Sequence, residues 1–238
     1  MGELILDLVP VALGVVLSPL AIMALVAVLL SRNARMNGIA YLLGWFLGLA
    51  GIMTLGLWLF PMLAVHERNE PPLWVPVLRV LIGAFLVSAA VWIYRKGRAR
   101  IEQMATAATP RDVVDASPQL PGWLHSVESF RPGRTFLLGL GLFVLNPVDA
   151  SCAILAALDI TQSGVAPGAG TAVAAVFIML GTLPIAVPVL FVLARGARAQ
   201  PVLDRMRSWI AGNTHVLNAA LLLVIGVLQL EKGIAALI

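Results

Sequence analysis

The sequence predicts an all-α integral membrane protein with six transmembrane helices. Of its 238 residues, 60% are hydrophobic and only 12% are charged, and the mean hydropathy is +0.96. Soluble domains carry roughly 25% charged residues. The apolar residues form six runs of at least about 20 residues, the length that crosses a bilayer. The predicted segments are 4–30, 38–63, 73–94, 135–160, 171–194 and 209–230, with 238 as an alternative end of the last.

The basic residues lie mainly on one side of these segments. Thirteen of the 16 Lys and Arg residues fall in the loops after segments 1, 3 and 5. They are Arg32, Arg35, Arg95, Lys96, Arg98, Arg100, Arg111, Arg131, Arg134, Arg195, Arg198, Arg205 and Arg207. Loops rich in Lys and Arg stay in the cytoplasm. We therefore predict a multi-pass protein of the cell (plasma) membrane with both termini outside. The net charge of +4 is explained by this topology and does not indicate a nucleic-acid partner.

This orientation divides the chain into two halves of opposite topology. The first three-helix repeat is 1–95 and the second is 135–238, joined by a cytoplasmic loop at 96–134. The loop contains a short amphipathic segment, in which Trp123, Leu124, Val127 and Phe130 follow helical spacing. Such a segment is expected to lie on the inner membrane face as an anchor, with a gate as the alternative.

The two halves share a motif at corresponding positions. Residues 13–25, LGVVLSPLAIMAL, align with residues 141–153, GLFVLNPVDASCA, which pairs Ser18-Pro19 with Asn146-Pro147. Each proline removes a backbone donor and is expected to break its helix. Inverted repeats with matching breaks near mid-membrane are typical of transporters, whose site lies between the repeats. We therefore expect broken helices 1 and 4 that surround one central site.

Segment 4 carries a carboxylate, Asp149, at its midpoint. A carboxylate at the centre of a span costs ~3 kcal/mol on insertion scales, so Asp149 is expected to face the helix bundle. It is spaced three residues from both Asn146 and Cys152, which places all three on one helical face. This pattern predicts a proton carrier or a hydrogen-bond donor at the site. The alternative is a buried acid that only its hydrogen bonds retain.

Two other segments contribute to the predicted site or its packing. Thr182 and Pro184 lie near the middle of segment 5, where Pro184 and Pro188 predict a second kink that acts as a hinge. In segment 2, Gly44 and Gly48 predict close helix packing within the chain, with a dimer contact as the alternative.

Arg79 lies about one turn into segment 3 from the outer side. We include it among the predicted substrate- or ion-binding residues. Its side chain is expected to extend to the membrane surface, with an inward contact to a carboxylate as the alternative. Asp7 and Asp159 are expected at outer helix ends, where a solvated charge is ordinary.

Several function classes are excluded by residue types. The single cysteine, Cys152, cannot form a disulfide within the chain, and no His, Cys or carboxylate cluster has metal-ligand spacing. No GxxxxGK[ST] loop is present, so neither a metal nor any other cofactor is expected. No second carboxylate or nucleophile shares the helical turn of Asp149, which favours a transporter over an enzyme. The first segment lacks a basic leader and an A-x-A site, so it is expected to remain as a span.

The chain resembles a known family over nearly its whole length. Residues 18–49, SPLAIMALVAVLLSRNARMNGIAYLLGWFLGL, and residues 121–150, PGWLHSVESFRPGRTFLLGLGLFVLNPVDA, are similar to the GAP, or sulfolipid-addressing, proteins of actinobacteria, within the LysE-like transporter superfamily. The resemblance implies two inverted three-helix repeats, a homodimer, and a role in delivering envelope glycolipids or peptidoglycolipids outward, together with proteins of their synthesis or export. The family continues its second motif as Asn-Pro-Lys-Asn, whereas Val148 and Asp149 follow Pro147 here.

Three hypotheses for the function follow. The first is a membrane transporter that translocates a cell-envelope lipid toward the outer surface. The second is a LysE-like, proton-coupled exporter of a small cationic solute, favoured by the aspartate at the lysine-asparagine position. The third is a scaffold for envelope-lipid synthesis that transports nothing, with its partner site in the cytoplasmic loop.

Overall fold

The computed structural model describes residues 2–63, 72–106 and 130–238, and these residues form eight α-helices. They are α1 Gly2–Val16, α2 Pro19–Leu29, α3 Ala34–Met62, α4 Trp74–Thr106, α5 Pro132–Val144, α6 Pro147–Gln162, α7 Pro167–Arg195 and α8 Gln200–Ala235, with a short 3-10 turn at Gly196–Ala199 before α8. The all-α prediction is therefore confirmed for this part of the chain.

Within the described residues, four helical stretches are long and apolar enough to cross a membrane, and there are five if the bent pair α5–α6 forms one span. The four are Gly2–Leu29, Ala34–Met62, Trp74–Gly97 and Pro167–Arg195. Several apolar helices of this length are typical of a multi-pass membrane protein. The predicted sixth span, 209–230, falls within α8 and stays a prediction. Segment 3 was predicted to end at 94, but its helix α4 continues to Thr106, because no proline or glycine pair interrupts the polar stretch that follows.

The predicted amphipathic segment lies outside the described residues, apart from Phe130. The carbonyl of Phe130 accepts a hydrogen bond from the Asn37 amide, 3.0 Å away. This bond attaches the chain just before α5 to the start of α3.

Helix α3 contacts α2, α5, α6 and α7. Its glycines allow this packing. A Cβ atom at Gly44 would meet the backbone carbonyl of Phe136 in α5, and one at Gly139 in α5 would meet the carbonyl of Tyr41. The small-residue contact predicted for Gly44 is therefore made within the chain.

Helices α4 and α8 form a second closely packed pair. A Cβ atom at Gly83 would lie 2.8 Å from the Gly226 carbonyl oxygen, and one at Gly226 would lie 2.9 Å from the Gly83 carbonyl oxygen. Gly233 of α8 makes a similar approach to the backbone of Pro76 in α4. Gly83 and Gly226, one from each half of the chain, thus contact each other. Elsewhere, α4 touches α6 only slightly.

The helix ends define two faces of the molecule. The face that we call the terminal face holds the starts of α1, α4 and α7 and the ends of α3, α6 and α8. The ends of α1 and α5 and the starts of α2 and α6 lie at the two helix breaks, between the faces. The opposite face, the basic face, holds the ends of α2, α4 and α7 and the starts of α3, α5 and α8. Six exposed arginines lie at those ends. They are Arg32, Arg35, Arg131, Arg134, Arg195 and Arg198.

Candidate functional site

The helix break between α5 and α6 is fixed by Asn146 and Pro147. Asn146 has an extended backbone, and its Oδ1 accepts a hydrogen bond from the Val148 N–H at 3.1 Å. This is an N-cap, and Pro147 occupies the first helical position, where its missing N–H is not needed. The two helices meet at 64°. Leu145 is 80% exposed at the bend, so the break reaches the protein surface.

The break between α1 and α2 is built from the corresponding residues of the first half. Helix α1 ends at Val16, and α2 begins at Pro19. Ser18 stands at the N-cap position with φ −59° and ψ 104°, but its side chain makes no capping bond. The hydroxyl of this buried serine is directed instead into the bundle. Both predicted helix breaks are therefore present.

Asp149 joins the two breaks. Its Oδ2 accepts a hydrogen bond from the Ser18 hydroxyl at 2.9 Å and another from the Asn146 amide at 2.6 Å. The side chain is buried, with the residue 1% exposed, as predicted. Its Oδ1 is also buried and has no hydrogen-bond partner among the described residues. The carboxyl group therefore retains one oxygen that can accept a hydrogen bond or carry a proton.

Two fully buried aromatic residues of α3 support this site. The Tyr41 hydroxyl donates to the Ala21 carbonyl in the first turn of α2, at 2.9 Å. The Trp45 indole N–H donates to the Gly181 carbonyl at 3.1 Å and contacts the Phe143 ring edge-on, with centroids 4.9 Å apart. Tyr41 and Trp45 thus attach α3 to α2, α5 and α7. The sequence interpretation did not include them.

Of the predicted site residues, the structure brings together Ser18, Pro19, Asn146, Pro147 and Asp149. Thr182 bonds within its own helix, because its hydroxyl donates to the Ile178 carbonyl at 2.7 Å. Pro184 lies inside α7, which continues from Pro167 to Arg195 without a break. The Gly181 carbonyl, three residues before Pro184, is the one that Trp45 satisfies.

Arg79 does not extend to the membrane surface, so that expectation was wrong. Its guanidinium is buried and donates hydrogen bonds to the Asp159 carboxylate at 2.7 Å, to the Gln162 amide oxygen at 2.6 Å and to the Gln229 amide oxygen at 2.7 Å. The alternative interpretation, an inward contact with a carboxylate, is the one that the structure supports. A guanidinium can donate to several acceptors at once, and the three acceptors here compensate for the loss of water around the buried charge.

The expectation of a solvated Asp159 was also wrong. This residue is 4% exposed, and its Oδ1 lies 2.7 Å from Arg79 and 3.8 Å from the Lys232 ammonium. Lys232 in turn forms an ion pair with Asp7 at 2.7 Å. We call this group the terminal network. Its members are Asp7, Arg79, Asp159, Gln162, Gln229 and Lys232.

An apolar groove of about 420 Å³ lies between α1 and α7. Its walls come from one side of α1, which includes Ile5, Val9 and Ala12, and from the first half of α7, which includes Ala172 and Val176. Ile5 is 54% exposed and Val176 is 55% exposed, so the groove is open at the molecular surface. Asp7 projects from the opposite side of α1, and the groove is therefore separate from the terminal network.

The model of one protein family, described as "Sap, sulfolipid-1-addressing protein", matches residues 8–235. The chain belongs to this family. The match includes both helix breaks, Asp149 and all members of the terminal network except Asp7. The resemblance to sulfolipid-addressing proteins is therefore confirmed. No curated protein and no solved structure matches the chain.

Proposed function

We propose that this member of the sulfolipid-1-addressing family transports a cell-envelope lipid toward the outer surface of the membrane. The observation that carries the proposal is the apolar groove between α1 and α7. It is open at the surface, which suits an acyl chain entering from the bilayer, whereas a small solute would need an enclosed polar pocket. The family description names a sulfolipid, so the substrate that we propose is a sulfated glycolipid or a related envelope lipid.

The proposed architecture is two inverted three-helix repeats. In support, each half contains the same order of elements: a broken helix, a helix of 29 residues, and a long helix of 33 or 36 residues. The reciprocal contact of Gly83 with Gly226 is what an axis between two repeats would produce. The six exposed arginines of the basic face support a cytoplasmic location for that face. The terminal face then lies outside.

We assign the central site to the step that couples energy to transport. The hydrogen bond from Ser18 to Asp149 joins the helix breaks of the two halves. A change in the hydrogen bonding of Asp149 would therefore affect the helix breaks of both halves. This role belongs to a transporter and not to an enzyme.

The test is transbilayer movement of a sulfated glycolipid with a fluorescent acyl chain in reconstituted vesicles. Ala172→Trp places an indole in the groove and is expected to abolish most of the movement. Ala175→Trp is the matched control, because Ala175 is an exposed alanine of the same helix outside the groove lining. Equal rates in both variants, or no movement with the unmodified protein, would contradict the proposal.

A second candidate is proton-coupled export of a small cationic solute. It is favoured by the unpartnered Oδ1 of Asp149, which offers a negative or proton-binding group to a cation. Vesicles loaded with a radiolabelled cationic amino acid distinguish the two candidates. Proton-driven release of the amino acid without lipid movement would support this candidate over the first.

A further inference from the structure

The terminal network joins the α4–α8 pair to α6 and α1, and α8 also packs directly against α1 and α2. Arg79, Gln229 and Lys232 belong to the α4–α8 pair, whose backbones approach closely at Gly83 and Gly226. Their partners Asp159 and Gln162 belong to α6, and Asp7 belongs to α1. Because α4 touches α6 only slightly, these polar bonds provide most of the attachment between the pair and α6 near the terminal face.

The terminal network differs in one respect from a buried polar network that stays closed permanently: one of its oxygen atoms lacks a hydrogen bond within the described part of the chain. Both oxygens of Asp159 are inside the protein, yet Oδ2 has no hydrogen-bond partner among the described residues. A buried polar group that lacks a partner is costly. Water that entered between α6 and the α4–α8 pair would satisfy this oxygen, which lowers the free energy needed to separate the two groups of helices.

The network lies between the central site and the terminal face. Asp159 follows Asp149 by ten residues of α6, about 15 Å along the helix axis. Cys152 lies on the same helix between them and is fully buried. A Cβ atom at Gly14 of α1 would lie 2.7 Å from its Sγ and 3.0 Å from Ile225 of α8. Cys152 therefore lies where α1, α6 and α8 meet, and the terminal network separates this point from the terminal face.

We propose that the terminal network is the outer gate of the central site at Asp149: it holds the α4–α8 pair against α6 and α1 and must break to open that site to the outside. The gate rests on the proposed transport function, but its opening is measurable without a substrate. In the conformation described here the gate is closed.

The native Cys152 is the reporter for the test. A membrane-impermeant methanethiosulfonate reagent is applied to intact cells and, separately, to inverted membrane vesicles. The unmodified protein is expected to react slowly from both sides. Arg79→Gln removes the charge that binds α4 to α6. If the open population rises from roughly 1% to roughly 10%, the reaction from outside accelerates about tenfold, while the reaction from inside does not change.

The matched control is Ser88→Ala. Ser88 is also a polar residue of α4, but it is exposed and bonds only to the Ala84 carbonyl of its own helix. In the Ser88→Ala variant, Cys152 should react with the reagent at the same rate as in the unmodified protein. Should Arg79→Gln fail to insert because the buried Asp159 loses its 2.7 Å partner and keeps only Lys232 at 3.8 Å, the double variant Arg79→Gln/Asp159→Asn removes both charges and carries the same expectation.

Two results would overturn the gate. One is a membrane-inserted variant in which Cys152 reacts with the reagent from outside no faster than in the unmodified protein. The other is an equal acceleration from both sides, which indicates general loosening of the bundle. A faster reaction from outside in a protein that moves no lipid would support the gate and contradict the proposed substrate, so the two inferences fail separately.

Discussion

The Ser18 hydroxyl donates a hydrogen bond to the Asp149 carboxylate across 131 positions of sequence, at 2.9 Å. Ser18 directly precedes Pro19, Asp149 follows Pro147 by two residues, and each of these prolines begins a new helix. The bond therefore connects the two helix breaks, and both of its partners are buried. Movement of either half that separates the breaks must break this bond.

Ser18→Ala removes one of the two donors to Asp149. We expect a loss of about 1–3 kcal/mol in the free energy of unfolding, because a hydrogen bond to a buried carboxylate is lost and not replaced. Thermal unfolding of the detergent-solubilised protein measures the change. Ser88→Ala, which removes an exposed hydroxyl from α4, should stay within about 0.5 kcal/mol of the unmodified protein. Equal effects of the two substitutions would contradict the assigned importance of the Ser18 bond.

Asp149→Asn preserves the shape of the side chain and an oxygen for the Ser18 and Asn146 donors. Asparagine cannot bind and release a proton, so we expect a folded protein whose transport no longer depends on a proton gradient. The measurement is substrate movement in vesicles with and without an imposed gradient. Asp149→Leu, by contrast, leaves the donor of the buried Ser18 unsatisfied and removes the partner of the half-buried Asn146, so it should lower stability by about 1–3 kcal/mol through Ser18 alone. Normal gradient dependence in the Asn variant would show that Asp149 is structural.

The helix breaks and the inward position of Asp149 were predictable because their causes are local. Proline lacks a backbone donor wherever it stands, and a carboxylate in a span is costly on the lipid side whatever surrounds it. The common helical face of Asn146 and Asp149 follows from spacing, whereas the expectation that Ser18 lies at the same site needed the alignment of residues 13–25 with 141–153.

The terminal network was missed because its partners are distant and partly uncharged. Arg79 and Asp159 are 80 positions apart, and Gln162 and Gln229 carry no charge that would mark them in an apolar segment. One signal was available. Gln162 follows Asp159 by three residues, and Lys232 follows Gln229 by three, so each pair presents a polar face at a helix end. Such faces indicate partners inside the bundle.

The proposed orientation is tested with two equivalent glycines on opposite faces. Gly168 and Gly133 are each exposed, each is the second residue of a helix after a proline, and neither has a neighbouring atom that a Cβ would meet. In a Cys152→Ser background, Gly168→Cys should react with an impermeant thiol reagent on intact cells, and Gly133→Cys should react only after the cells are opened. The reverse pattern would place the terminal face in the cytoplasm.

The last prediction concerns the contact between α3 and α5. A Cβ atom at Gly44 would collide with the backbone carbonyl of Phe136, whereas one at Gly51, two turns further along α3, would meet open space. Backbone cannot move aside as a flexible side chain can, so Gly44→Ala should lower the free energy of unfolding by about 1–3 kcal/mol through overpacking. Gly51→Ala should be neutral or slightly stabilising, since alanine favours the helix by about 1 kcal/mol over glycine.

Because Tyr41 and Trp45 flank Gly44 and attach α3 to α2 and α7, the displaced helix should also disturb the central site. Parallel measurement of unfolding and of substrate movement in both variants checks this, and similar behaviour of the two alanines would show that α3 and α5 do not pack through Gly44.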